Sequence, residues 1–124
     1  MHTHYADVPP YQSLDGSEIR ELMHPDEHPV RQQSLAEATV LPGEATQLHR
    51  HHRSEELYHV LAGHGLMILG DDCFDVRCGD TVLIPPGTPH RIANAGNEPL
   101  RVLCACSPAY SHDDTELLSG AGGQ

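Results

Sequence analysis

The sequence predicts an all-β domain, an antiparallel sandwich or barrel, and three observations carry that reading. Apolar residues come in short runs, and no segment shows a convincing helical period. Turn residues are frequent, with 11 Gly and 10 Pro among 124 residues. The clearest turn signals, Pro42-Gly43, Gly70-Asp71-Asp72 and Pro85-Pro86-Gly87, each fall between two apolar runs. No internal repeat or linker divides the chain, and its length suits a single domain.

The elements follow in order. Residues 1–17 are polar, with His2, His4, Pro9 and Pro10, and read as an N-terminal arm or first edge strand. The barrel is expected over 18–107. A short strand at 18–23 leads to a loop through Pro25 and Pro29, and the next strand, 33–41, stops at Pro42-Gly43. Strands at 47–51 and 56–62 are separated by a polar loop. Gly63 turns the chain into 64–69, and Gly70-Asp71-Asp72 turns it into 74–77. A short apolar strand at 81–84 ends at Pro85-Pro86-Gly87. The last two strands, 89–93 and 100–106, are joined through Asn94-Ala95-Gly96-Asn97. Residues 108–124 are expected as a C-terminal tail, with 119–124 disordered.

Charge and composition exclude several functions. The formal net charge is −11, and the seven basic residues are all Arg. With no basic stripe, nucleic acid and anionic membrane surfaces are not expected partners. Without Lys, Schiff-base chemistry is excluded. No stretch is apolar enough to span a membrane, and the N-terminus is not that of a secreted protein, so the chain is expected to be cytoplasmic. Cys73, Cys78, Cys104 and Cys106 match neither a zinc pattern nor a disulfide framework. Cys104 and Cys106 share one face of a strand and read as small core residues.

Two clusters concentrate the chemistry: Gly43-x5-His49-x-His51-x4-Glu56-x6-Gly63 and Gly79-x5-Pro85-x-Gly87-x2-His90-x3-Asn94. His49 and His51, two apart on a strand, point to one face. With Glu56 from the next strand and His90 from a distant one, they form a ligand set for one divalent metal. Glu55 competes with Glu56 for the carboxylate position. Glu56 is kept because it preserves the six-residue gap to Gly63.

These clusters resemble the two motifs of the cupin superfamily, with every signature position filled. The resemblance covers residues 43–94 directly, extends in strand order over about 30–107, and is to the small single-domain bacterial type. It implies a double-stranded β-helix, or jelly-roll barrel, with His49, His51, Glu56 and His90 as ligands of one divalent transition metal. Fe2+ is favoured, with Mn2+, Ni2+, Zn2+, Co2+ and Cu2+ compatible with the same mixed donors.

Three neutral imidazoles and one carboxylate leave a divalent site at net +1, suited to an anionic oxygen ligand, with two positions open on an octahedral ion. The expected function is a metal-dependent enzyme on a small chelating anionic or enolic molecule. A dioxygenase leads, followed by a decarboxylase or an isomerase. The alternative is a non-catalytic metal or small-molecule binding protein. Tyr58, two residues from Glu56 on the same face, is the expected catalytic partner, and Glu56 itself can shuttle a proton. Arg20, Gln33, Glu37 and Tyr110 are candidates for the cavity mouth. Both faces of residues 56–61 read as buried, so a homodimer covering the Leu57 and Leu61 face is expected, with the N-terminal arm across the partner.

Overall fold

The computed structural model describes residues 1–118. The expected disorder of 119–124 lies outside the described residues. The strands, in chain order, are β1 (Tyr11–Gln12), β2 (Glu18–Met23), β3 (Ser34–Val40), β4 (His49–His51), β5 (Glu55–Ala62), β6 (His64–Leu69), β7 (Asp72–Arg77), β8 (Thr81–Ile84), β9 (His90–Asn94), β10 (Leu100–Ser107) and β11 (Thr115–Leu117). They form two antiparallel sheets, one ordered β1-β2-β3-β10-β5-β8 and the other β11-β4-β9-β6-β7. The expected jelly-roll barrel is thus present, with the sheets facing each other across the core.

Alternation sets the faces. On β10, Leu100, Val102, Cys104 and Cys106 point inward, opposite Val60, Tyr58 and Glu56 of β5. Val60, Met67, Val76, Ile84, Ile92, Leu100 and Val102 are almost fully buried and form the core between the sheets. The turns follow the glycine signals. Gly70, with φ +58°, sits in the tight loop of the β6–β7 hairpin, where Leu69 pairs with Asp72. Gly63 combines φ +82° with a backbone approach so close that a Cβ would stand 2.8 Å from the Pro99 carbonyl oxygen, so only glycine fits between β5 and β6.

One bound needs correction, the end of the barrel at 107, and two further observations concern the ends and the outer face within one chain. The C-terminal tail is not free of the barrel, because β11 pairs with β4 through Thr115 and His51, Glu116 and Arg50, and Leu117 and His49. Its three-residue strand is too short and polar to show a period. The N-terminal arm lies on its own chain: Tyr5 donates to the Glu37 carboxylate, and the Arg20 guanidinium stacks 4.7 Å from the Tyr5 ring centre. Within one chain β5 is buried on only one face, since Leu57 is 44% and Leu61 40% exposed. No helix of the described residues is long and apolar enough to cross a membrane.

Candidate metal centre

β4 carries His49 and His51 to the inner face of one sheet, and β9 places His90 directly across from His49. The ring centres are 4.2 Å apart for His49 and His90, 5.2 Å for His49 and His51, and 5.4 Å for His51 and His90. One ring nitrogen from each lies within 4.8 Å of the others. Glu56 arrives from β5 in the opposite sheet, with Oε1 3.2 Å from His51 Nε2 and 3.5 Å from His90 Nε2. All four side chains are buried, whereas Glu55 is exposed.

The outer ring nitrogens decide what the inner ones can do. His49 Nδ1 is 2.7 Å from the Gln47 carbonyl oxygen, and His90 Nδ1 is 2.9 Å from that of Thr88. A carbonyl only accepts, so both Nδ1 atoms carry hydrogen. His51 Nδ1 meets Thr115 Oγ1 at 2.9 Å, and that hydroxyl gives its own hydrogen to the Ser111 carbonyl at 2.8 Å, so it too accepts from the ring. Each neutral ring therefore turns an Nε2 lone pair inward. Glu56 Oε1 and His90 Nε2 are buried without a hydrogen-bond partner among the described residues.

Lone pairs facing a carboxylate at 3.2–3.5 Å repel unless a cation lies among them. Burial, then neighbouring His90, pushes His49 down to about 4, so a second proton on that ring is disfavoured. Glu56 is held below its usual range against the upward pull of burial, so it stands as a carboxylate. The donors present fit a divalent metal of mixed nitrogen and oxygen preference.

The centre opens onto a narrow cavity of about 50 Å³, lined near the donors by Asp15, Ser34, Ala36, Tyr58, Cys104 and Tyr110. By the space one water needs, that is room for about three to five waters. Tyr11, Glu21 and Tyr110 also border a wider outer depression whose rim carries Asp26, Glu27 and Asp113. The entrance is acidic. Burial, then the charge of Glu56, pushes the Tyr58 hydroxyl and the Cys104 and Cys106 thiols upward, so all three keep their protons near neutral pH.

A family model described as "Cupin domain" matches residues 36–106, which spans every one of these donors. The chain belongs to the cupin family. An uncharacterized protein of Methanocaldococcus jannaschii is 53% identical over 118 residues, covering 95% of this chain and 94% of its own. Protein SchB of Streptomyces halstedii is 33% identical over 117 residues, covering 90% and 84%. Among solved structures, the Lactobacillus farciminis oxalate decarboxylase formate complex superposes with a TM-score of 0.79 at 28% identity. That match covers 93% of this cupin but only 35% of the decarboxylase chain, so the cupin spans about a third of it.

The structure clusters His49, His51 and His90, sets Glu56 against the last two, and places Tyr58 beside them, its ring 6.0 Å from that of His90. Of the mouth candidates, only Tyr110 reaches the cavity, its ring 5.7 Å from His51. Gln33 is exposed, and Arg20 and Glu37 face the arm on the outer side of the sheet. His52, as its neighbours' alternation requires, points away and meets Glu116 at 3.1 Å. His24 is buried: its Nε2 donates to the Tyr110 carbonyl at 2.7 Å and so positions the cavity wall.

Three contributors escaped the sequence reading. Thr115 orients His51 from 64 residues away. Asp114 accepts from the backbone N–H groups of Arg53 and Ser54, and so shapes the loop between His51 and Glu56. Asp15 places a carboxylate oxygen 3.7 Å from His49 Nε2. The Ser13-x-Asp15-Gly16-Ser17 turn was the only local signal for any of them, and it reads as an ordinary loop.

Proposed function

We propose that this cupin is a metal-dependent enzyme acting on a small chelating acid or enol. The observation that carries the reading is the set of three inward Nε2 lone pairs and a buried carboxylate oxygen with no partner. His49, His51, His90 and Glu56 would hold the ion, and Fe2+ is the ion favoured. Once bound, the metal would polarise the oxygens it contacts and draw off negative charge as it develops.

The protein's own groups do the rest. The cavity admits only a small molecule and excludes bulk water. Tyr58 holds its proton, so it acts as a hydrogen-bond or proton donor to a ligand and not as a base. Cys104 and Cys106, protonated and buried, act as wall and not as nucleophiles. The acidic rim of Glu21, Asp26, Glu27 and Asp113 disfavours a dianion and favours a substrate carrying at most one charge.

Decarboxylation is the favoured reaction, supported by the likeness to an oxalate decarboxylase at 28% identity, with a monoacid in place of that protein's substrate. Oxygenation of an enolic chelate is the second reading, because four protein donors on an octahedral ion leave two positions for substrate and O2. The test is to load the protein with Fe2+ or Mn2+ and follow CO2 release and O2 uptake over a panel of small keto and hydroxy acids. CO2 without O2 uptake supports the first reading, and matched O2 uptake the second. Neither product from any acid, with metal bound, leaves a binding protein. Tyr58→Phe should keep its metal and lose about 10–100-fold in turnover.

The same reading includes assembly as a homodimer. Leu57 and Leu83 are cross-strand neighbours on the outer face of β5 and β8, and Leu83 is 52% exposed. A second copy would cover them. The four free cysteines fit a reducing, cytoplasmic setting.

A further inference from the structure

Glu21 lies on β2, and alternation turns it inward. Ile19, two residues before it, packs against the core, whereas Arg20 between them reaches the arm on the outer side. Glu21 pairs with Ala36 of β3, and the register slips immediately after it, with Leu22 as the extra residue of a bulge before Met23 meets Leu35. Glu21, Tyr11 and Tyr110 line both the narrow cavity and the outer depression, so they form the neck between the two.

The two oxygens of the Glu21 carboxyl differ. Oε2 accepts from the Tyr11 hydroxyl at 2.9 Å. Oε1 is buried and has no hydrogen-bond partner among the described residues. Glu56 Oε1 and His90 Nε2 share that condition, and both belong to the metal centre on which the same cavity opens. A buried acceptor with no donor is costly, and it persists where a ligand or a water completes it. Burial is the largest influence on the Glu21 carboxyl and raises it above its usual range, which the Tyr11 hydrogen bond offsets only in part.

We propose that Glu21 Oε1 is a second point of substrate recognition, accepting a hydrogen bond from a hydroxyl that the substrate carries away from its metal-chelating end. This rests on the chelating-acid reading above and deepens it. The substrate class is a small hydroxy-substituted monoacid: oxygens at one end for the ion, and an O–H at the other for Glu21. A methyl group in that place leaves the acceptor unpaired, and a second carboxylate meets it as a like charge. Tyr11 holds Oε2, which leaves Oε1 as the free acceptor.

The experiment is titration of Co2+-loaded protein with pyruvate and with hydroxypyruvate, which differ by one hydroxyl, following the visible absorption of the ion. Wild-type protein should bind hydroxypyruvate about 10–100-fold more tightly. Glu21→Leu should hold as much Co2+ as wild type and bring the two affinities to within about 2-fold of each other. Glu21→Gln, of the same size, should lose most of the preference, because a neutral amide is the weaker acceptor. The ratio of the affinities is the readout, and a general loss of packing, which weakens both ligands alike, does not imitate it. Equal affinities in wild type overturn the proposal, leave Oε1 to an ordered water, and leave the metal centre standing. A preference that survives in both variants overturns the assignment to Glu21. If Co2+ binds and neither acid perturbs its spectrum, the chelating-acid reading fails and this inference fails with it. If wild-type protein binds no Co2+, the metal reading itself fails.

Discussion

Thr115 Oγ1 accepts a hydrogen bond from His51 Nδ1 at 2.9 Å, joining the last strand of the chain to the centre of the barrel. The hydroxyl can accept because its own hydrogen is committed to Ser111. This contact fixes both the tautomer of His51 and the direction of its Nε2 lone pair.

Replacing Thr115 with Val keeps the shape and the strand propensity but removes the acceptor. Divalent-metal affinity should fall about 10–100-fold, with the circular dichroism spectrum unchanged. Calorimetry checks it. Affinity equal to that of wild type would mean that His51 needs no support from the C-terminal strand.

Asp114 governs an acid-side stability change. Burial acts to raise its pKa, but the backbone N–H groups of Ser54 and Arg53 outweigh it, so the folded carboxyl ionises more readily than the unfolded one. The stabilisation is therefore complete above the unfolded value near 3.9 and is lost as pH falls through the folded value. Asp114→Ala should cost about 1–3 kcal/mol at pH 7. The gap between variant and wild type in denaturant melts should be constant well above the unfolded value near 3.9 and should narrow progressively as pH falls below it. A gap that does not narrow on acidification contradicts this account of Asp114.

The exposed Leu57 and Leu83 pair predicts association. Light scattering should give about twice the 13.5 kDa chain mass at micromolar concentration, and Leu83→Glu should return the single-chain mass without lowering metal content. A wild-type particle of 13.5 kDa would contradict the dimer.

The three clustered histidines and the nearby Glu56 were readable because each lies in a motif with its own spacing and turn residues. Two-residue periodicity gave the inward direction of His49 and His51. The six-residue gap to Gly63 separated Glu56 from Glu55, and Gly63 proved to be constrained by backbone contact with Pro99. Thr115, Asp114 and Asp15 were not readable, because their partners are 64, 60 and 34 residues away and their local sequence is that of ordinary polar turns. The burial of His24 was hidden for the same reason, since it depends on the Tyr110 carbonyl, 86 residues on. Leu57 and Leu61 are exposed within one chain, on the face where the sequence reading expects a partner.

The central claim is that the buried donor set holds a divalent metal. The direct measurement is elemental analysis of protein purified without chelator, then dialysed against Fe2+, Mn2+, Co2+ or Zn2+ in turn. The account predicts about one tightly held divalent ion per chain, lost in His51→Ala and weakened in Glu56→Gln, where the carboxylate gives way to a neutral and poorer donor. Folded wild-type protein that retains none of these ions, or His51→Ala protein that retains as much as wild type, would contradict it.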